Sequence, residues 1–161
     1  MSVWEIVKNL KFGEILTLSK IFLKNPRYFL PTLKATVETI KVCDYKFGDQ
    51  HHFDNPTNAF RHAFWNYLIC VKCYEVSGSR EKVADWAEKI TDLHEDLSPN
   101  DELAKKMDLH NNRIGRETFI KHKEGIQDPV RFFKDLMVHA RQVKSVAEIN
   151  NTINQFVFIE Q

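Results

Sequence analysis

Glycine and proline are scarce in this chain, with five of each in 161 residues. An architecture of strands and tight turns uses more of both to make its reversals, so the scarcity argues against one. Cysteine is scarcer still: Cys43, Cys70 and Cys73 are the whole set. Three is an odd and small number, so no disulfide framework is implied and a reducing compartment is the expectation. No run of 18 apolar residues occurs, so no segment reads as a membrane-spanning helix. The N-terminus also lacks the compact apolar core of a signal peptide. A cytoplasmic location is expected, with peripheral membrane association or export without a cleaved signal left open. The net charge of +1 gives no global argument for nucleic acid, which is not favoured as a partner.

What is present fits an ordinary globular protein. Hydrophobic residues make up 43% and charged ones 28%, enough apolar surface for a core and too much for a disordered chain. A length of 161 residues suits one domain that buries about two-thirds of its unfolded surface. The charge is uneven. Residues 1–46 hold eight Lys or Arg against four acids, a balance of +4, and the remainder carries −3. Trp4, Phe12, Phe22, Tyr28 and Phe29 are interleaved there with Lys8, Lys11, Lys20, Lys24 and Arg27. Such interleaving suits an anionic membrane surface. It equally suits helices packed on a core with lysines reaching outward. No other partner is indicated.

Helical periodicity runs through the chain, and an all-α single-domain bundle of about five or six helices is expected. It divides into basic N-terminal helices (1–48), a helical core (55–145) and a tail (146–161). Val3 to Leu10 and Phe12 to Leu23 are amphipathic, and Asn25-Pro26 ends the second because the residue before proline leaves the helical region. A third helix carries Leu33, Val37 and Ile40 on one face and ends near Phe47-Gly48. Asn55-Pro56 caps a helix to about Glu75 that is apolar nearly all round, the mark of a central helix. Cys70 and Cys73 have redox spacing but sit late in it, away from the N-terminal dipole that activates a thiol, so they read as core. Arg80 to Leu97 follows, with Val83, Trp86, Ala87, Ile90, Leu93, His94 and Leu97 on its inward face and Glu95 opposite. Ser98-Pro99 opens the next helix, with Asp101 completing a capping box. Asp128-Pro129 caps a last helix to about Lys144, and Gln155–Ile159 reads as an edge strand or an apolar clasp. The adjacent His51 and His52 fall in a polar loop, where such a pair has no function in most cases.

Polar side chains then collect where apolar ones are expected. Asn58, Arg61, His62 and Asn66 share a face of the central helix, His94 points inward from the next, and Asp108, Asn111 and Asn112 come from the one after. Three uses are open. His62, His94 and Asp108 suit a divalent metal such as zinc, with a position left for water. Alternatively one histidine is a general base oriented by Asp108, while Arg61 or Arg116 binds an anionic group. In the third, the groups satisfy one another as a structural network.

Three ordered motifs carry a resemblance: Asn58-Ala-Phe-Arg-His-Ala-Phe-Trp-Asn66, His94-Glu95, and Met107-Asp-Leu-His-Asn-Asn-Arg-Ile-Gly-Arg116. Together they resemble a bacterial all-helical domain of unassigned function, found as small stand-alone proteins and at the C-termini of large polymorphic toxins. The resemblance implies catalysis on a cellular target and singles out Glu95, Gly115 and Arg116 besides the residues above. The resulting expectation is a hydrolase for a phosphoester-containing substrate, lipid before nucleic acid. His62, His94, Glu95 and Asp108 would be catalytic, and Asn58, Arg61, Asn66, Asn111, Asn112 and Arg116 would bind substrate. A non-catalytic binding module and a peripheral membrane protein are the alternatives.

Overall fold

A proline at the first turn and a side-chain cap set the start of the helix that everything else packs on. In the computed structural model, which describes residues 12–97 and 101–159, the Asn55 carboxamide oxygen accepts from the amides of Thr57 and Asn58. The chain passes through α1 (Phe12–Lys24), a 3-10 turn at Pro26–Tyr28, α2 (Phe29–Phe47) and a second 3-10 turn at Gly48–His52. The central helix α3 (Pro56–Ser77) follows, then α4 (Arg80–Leu97), α5 (Glu102–Lys121) and α6 (Pro129–Val138). A two-residue strand β1 (Arg141–Gln142), a short helix α7 (Val146–Asn150) and a second strand β2 (Val157–Phe158) complete the described residues. The two strands pair in parallel, Arg141 with Val157 and Gln142 with Phe158. The fold is an all-α bundle, with seven α-helices among the described residues. The expected first helix, Val3 to Leu10, lies outside them.

Helix α3 packs against α2, α4, α5 and α6. Phe60, Ala63, Phe64, Ile69, Cys70 and Cys73 are buried along it, and each large apolar side chain so buried contributes about 1.5–3 kcal/mol. Phe60, Phe64 and Tyr67 meet Phe133 of α6 ring to ring. It ends at Gly78, whose φ of 68° is the left-handed conformation that stops a helix cheaply only with glycine. The cysteines are free and buried, and desolvation pushes the Cys70 thiol up to about 12 and Cys73 to about 11. They are inert core residues.

Two boundaries differ from expectation. The N-cap of α5 is Asp101, its carboxylate accepting from the Ala104 amide at 2.8 Å; Ser98 and Pro99, the expected start, lie outside the described residues. Helix α6 stops at Val138 rather than near Lys144, because the chain turns to pair β1 with β2. The tail is both strand and clasp: Phe156, Val157 and Ile159 are buried, and Val157 and Ile159 join Ala104, Met107, Val143 and Ile149 in a second small core. Helix α5 is therefore covered on two sides, by α3 and by this clasp. Asn111 serves the clasp, donating to the Val157 carbonyl at 2.9 Å and accepting from its amide at 3.1 Å. Its carboxamide completes β2 as a neighbouring strand would.

The α3–α5 crossing is the tightest feature of the bundle. Gly115 of α5 lies against Ala63 of α3, so close that an added Cβ would overlap the Ala63 carbonyl oxygen and stand 2.8 Å from its carbonyl carbon. Helix propensity alone favours alanine over glycine by about 1 kcal/mol. Overpacking against immobile backbone costs up to about 3 kcal/mol and occasionally more, so the clash wins. Gly115→Ala should lower unfolding stability by roughly 2 kcal/mol in denaturant titration; an unchanged or raised stability would show that the two helices separate freely.

Candidate functional site

The close crossing at Gly115 places the polar faces of α3 and α5 against each other, and the C-terminal half of α4 closes the third side. His62, Glu95 and Asp108 meet there, each 2% exposed or less. Their donor atoms all lie within 4.8 Å of one another. His62 Nδ1 stands 3.4 Å from Glu95 Oε1, and Nε2 stands 3.3 Å from Asp108 Oδ1.

The proton positions follow from the neighbours. Arg61 Nη2 donates to His62 Nε2 at 2.8 Å, and a guanidinium cannot accept. His62 therefore carries its proton on Nδ1 and donates it to Asn112 Oδ1 at 3.2 Å. Burial, then the charges of Arg61 and His94, hold the His62 pKa well below 6.5, so the ring is neutral. Burial and the neighbouring Glu95 carboxyl raise Asp108 well above the usual carboxylate range. Burial pushes Glu95 up to about 7. Two carboxyls at such a distance in a dry site share protons rather than carry two charges. Glu95 Oε2 is buried and has no hydrogen-bond partner among the described residues. The group that Glu95 faces is the Asp108 carboxyl, with which it shares a proton.

Around this centre the carboxamides form a continuous chain. Asn66 Nδ2 donates to Asn112 Oδ1 at 2.7 Å and to the His62 carbonyl at 3.1 Å. Asn66 Oδ1 accepts from Thr91 at 3.2 Å and from Arg116 at 3.1 Å. Arg116 also donates to Glu88 Oε1 at 2.9 Å, which ties α5 to α4. Asn112 Nδ2 reaches Glu95 Oε1 at 3.4 Å. Asn66, Asn112 and Arg116 thus orient the centre from behind. Asn58, one turn before His62, is buried, and its Oδ1 has no hydrogen-bond partner among the described residues.

One placement overturns an expectation. His94 does not point inward; it is exposed, its ring edge-on to Trp65 at a centroid distance of 5.3 Å. Glu95, expected to face solvent, takes the inward place. The inward ridge of α4 is Val83, Ala87, Thr91 and Glu95, spaced by four, and following it one more step selects position 95 over 94. Thr91 and Glu88 were missed in the sequence. Thr91 carried a signal, since it lies midway between Ala87 and Glu95 on that ridge; Glu88 carried none, being an acid on an exposed face. Asn111 is drawn away to Val157, and His110 likewise to the Gln155 carbonyl at 2.9 Å.

The family model described as Domain of unknown function (DUF6973) matches residues 19–144. The chain belongs to that family. Its matched segment runs from α1 through α6 and contains every residue of the centre. No curated protein matches the chain, and no solved structure does. Among the described residues no helix is long and apolar enough to cross a membrane.

The raised Glu95 carboxyl has a measurable consequence. In the unfolded chain Glu95 titrates near 4.5 and in the folded protein near 7, so the folded state holds the extra proton and loses it as pH rises through 7. Asp108, raised as well, acts in the same direction, while His62, depressed when folded but near 6.5 when unfolded, opposes the loss by about 0.4 kcal/mol as the unfolded imidazole deprotonates. The metal-free protein should therefore lose on the order of 1 kcal/mol of stability between pH 6.5 and 8. Glu95→Gln should reduce that slope in urea titrations at the two pH values; an unaltered slope would mean Glu95 is ionised in both states.

Proposed function

We propose that the chain is a metal-dependent hydrolase of a phosphoester-containing substrate, with His62, Glu95 and Asp108 as the metal ligands. The observation that supports it is the convergence of one imidazole and two carboxyls within 4.8 Å, buried, from three different helices. Desolvating two carboxyls is expensive, and a divalent cation held by His62, Glu95 and Asp108 would offset that expense by taking the place of the carboxyls' shared protons. A nitrogen and oxygen donor set of this kind suits zinc, manganese or iron. When bound, such an ion would supply Lewis-acid chemistry toward a phosphoryl group and activate water near neutral pH.

The protein's own side chains do the rest. Arg61 is half-buried beside His62 and offers its guanidinium to an anionic group. His94 sits at the surface near enough to act on His62 electrostatically, and we assign it proton transfer at the leaving group. Asn66, Asn112 and Arg116 hold the ligands in place rather than contact substrate. Lipid is favoured over nucleic acid: exposed Leu23, Phe29 and Leu30 accompany Lys20, Lys24 and Arg27 at the corner between α1 and α2, a mixture suited to an anionic bilayer surface. The resemblance of the three motifs to toxin-tip domains of bacteria adds weight to an enzyme acting on a cellular target. We place its action in the cytoplasm, in keeping with three cysteines that form no disulfide among the described residues.

The competing reading is a structural network, favoured by the near-complete burial of all three residues. Elemental analysis of untagged protein, beside a His62→Ala, Asp108→Asn variant, separates the two. The proposal expects about one equivalent of metal in the wild type, lost in the variant together with at least 100-fold of phosphodiesterase activity. A metal-free wild type that takes up no ion, and a variant that only loses stability by a few kcal/mol, would leave the structural network.

A further inference from the structure

A second group of ligand-type side chains lies where α2 hands over to the next turn. Gly48 ends α2 with a φ of 56°, and the 3-10 turn Gly48–His52 then folds its last two residues back toward that helix. His51 is fully buried, and its Nε2 lies 2.9 Å from Asp44 Oδ1. Its other ring nitrogen, Nδ1, is buried with no hydrogen-bond partner among the described residues. The His52 ring lies against His51, tilted by 40° at a centroid distance of 4.0 Å, and is exposed, as is Asp44. The donor atoms of the three residues lie within 4.8 Å of one another.

We propose that Asp44, His51 and His52 form a second cation site, for a divalent transition metal of the zinc type, independent of the His62 centre. Two imidazoles and one carboxylate suit zinc, copper or nickel, whereas magnesium and calcium take all-oxygen sets. Tetrahedral zinc with bonds of about 2.0–2.1 Å holds neighbouring donors roughly 3.3 Å apart. The His51–Asp44 pair at 2.9 Å is already near that spacing. His52 closes the set, because an exposed side chain moves at little cost while buried His51 is the fixed anchor. Water completes the coordination. An ion reaches this site from solvent directly, without opening the bundle.

A histidine–aspartate pair that merely fastens the turn would not need a second imidazole, His52, held against His51. The site also has a connection to the first centre. Arg61 Nη1 lies 3.5 Å from His52 Nδ1, while Arg61 Nη2 holds His62. A cation that engages His52 repels the guanidinium. Its charge opposes binding, which the Asp44 carboxylate offsets, so affinity on the order of micromolar is expected.

The test is zinc titration calorimetry on the untagged full chain after chelator treatment, beside an Asp44→Asn, His52→Ala variant. Both substitutions are at exposed positions and leave buried His51 intact, so the fold is kept, which circular dichroism verifies. The variant should bind one equivalent fewer than the wild type. A wild type with a single equivalent that the variant loses supports this site and removes the His62 metal centre. A single equivalent retained by the variant overturns this site and leaves the His62 centre standing. Equal stoichiometry in the two proteins, or no uptake by the wild type, overturns it.

Discussion

The structure depends on the contact between Gly115 and Ala63. Two helices approach closely only where one of them has no side chain, and here the space for a Cβ is filled by the other helix's backbone. That approach brings His62 and Asn66 of α3 to within hydrogen-bonding distance of Asn112 and Arg116 of α5. At ordinary interhelical distances of 8–10 Å, short side chains such as asparagine would not span the gap. Gly115 comes one residue before Arg116 and three after Asn112, so the closest point of the crossing coincides with the polar chain. The close packing and the polar centre are one arrangement.

What that arrangement contains is costly. A histidine and two carboxyls occupy positions that leucine or phenylalanine would fill with a gain of about 2 kcal/mol each. The imidazole stays unprotonated and the carboxyls hold on to protons, with Glu95 raised to about 7 and Asp108 higher than its usual range. Perturbed groups of this kind cluster at functional sites. The neighbouring polar groups show what structural roles look like in the same protein: Asn111 pairs with both backbone groups of Val157, and Arg116 with Asn66 and Glu88. Each of those has its hydrogen bonds made. The Glu95 and Asp108 carboxyls instead face each other across a shared proton, and that contrast separates the centre from its supports.

The bundle was legible in the sequence because its signals were local. Asn55-Pro56, Asp128-Pro129 and the Phe47-Gly48 stop mark helix ends through capping and glycine chemistry that neighbouring residues decide. Most of the centre's residues were legible too, as polar groups on an apolar periodicity. His94 and Glu95 were not, since adjacent positions differ by 100° on a helix and the true inward direction depends on how α4 lies across α3. Asn111 departs from its expected place for a related reason: the periodicity points it at the bundle interior, but α5 has a second covered side, made by a C-terminal clasp some 46 positions away in the chain. No local pattern announces a partner at that separation.

The most direct measurement is anomalous diffraction at the zinc absorption edge from crystals of the full chain equilibrated with zinc. The account predicts a peak enclosed by His62 Nε2 or Nδ1, Glu95 and Asp108, at about 2.0–2.2 Å from each ligand atom. Well-ordered density showing the three side chains hydrogen-bonded to one another, with no anomalous signal between them, would contradict it and identify the centre as a structural network.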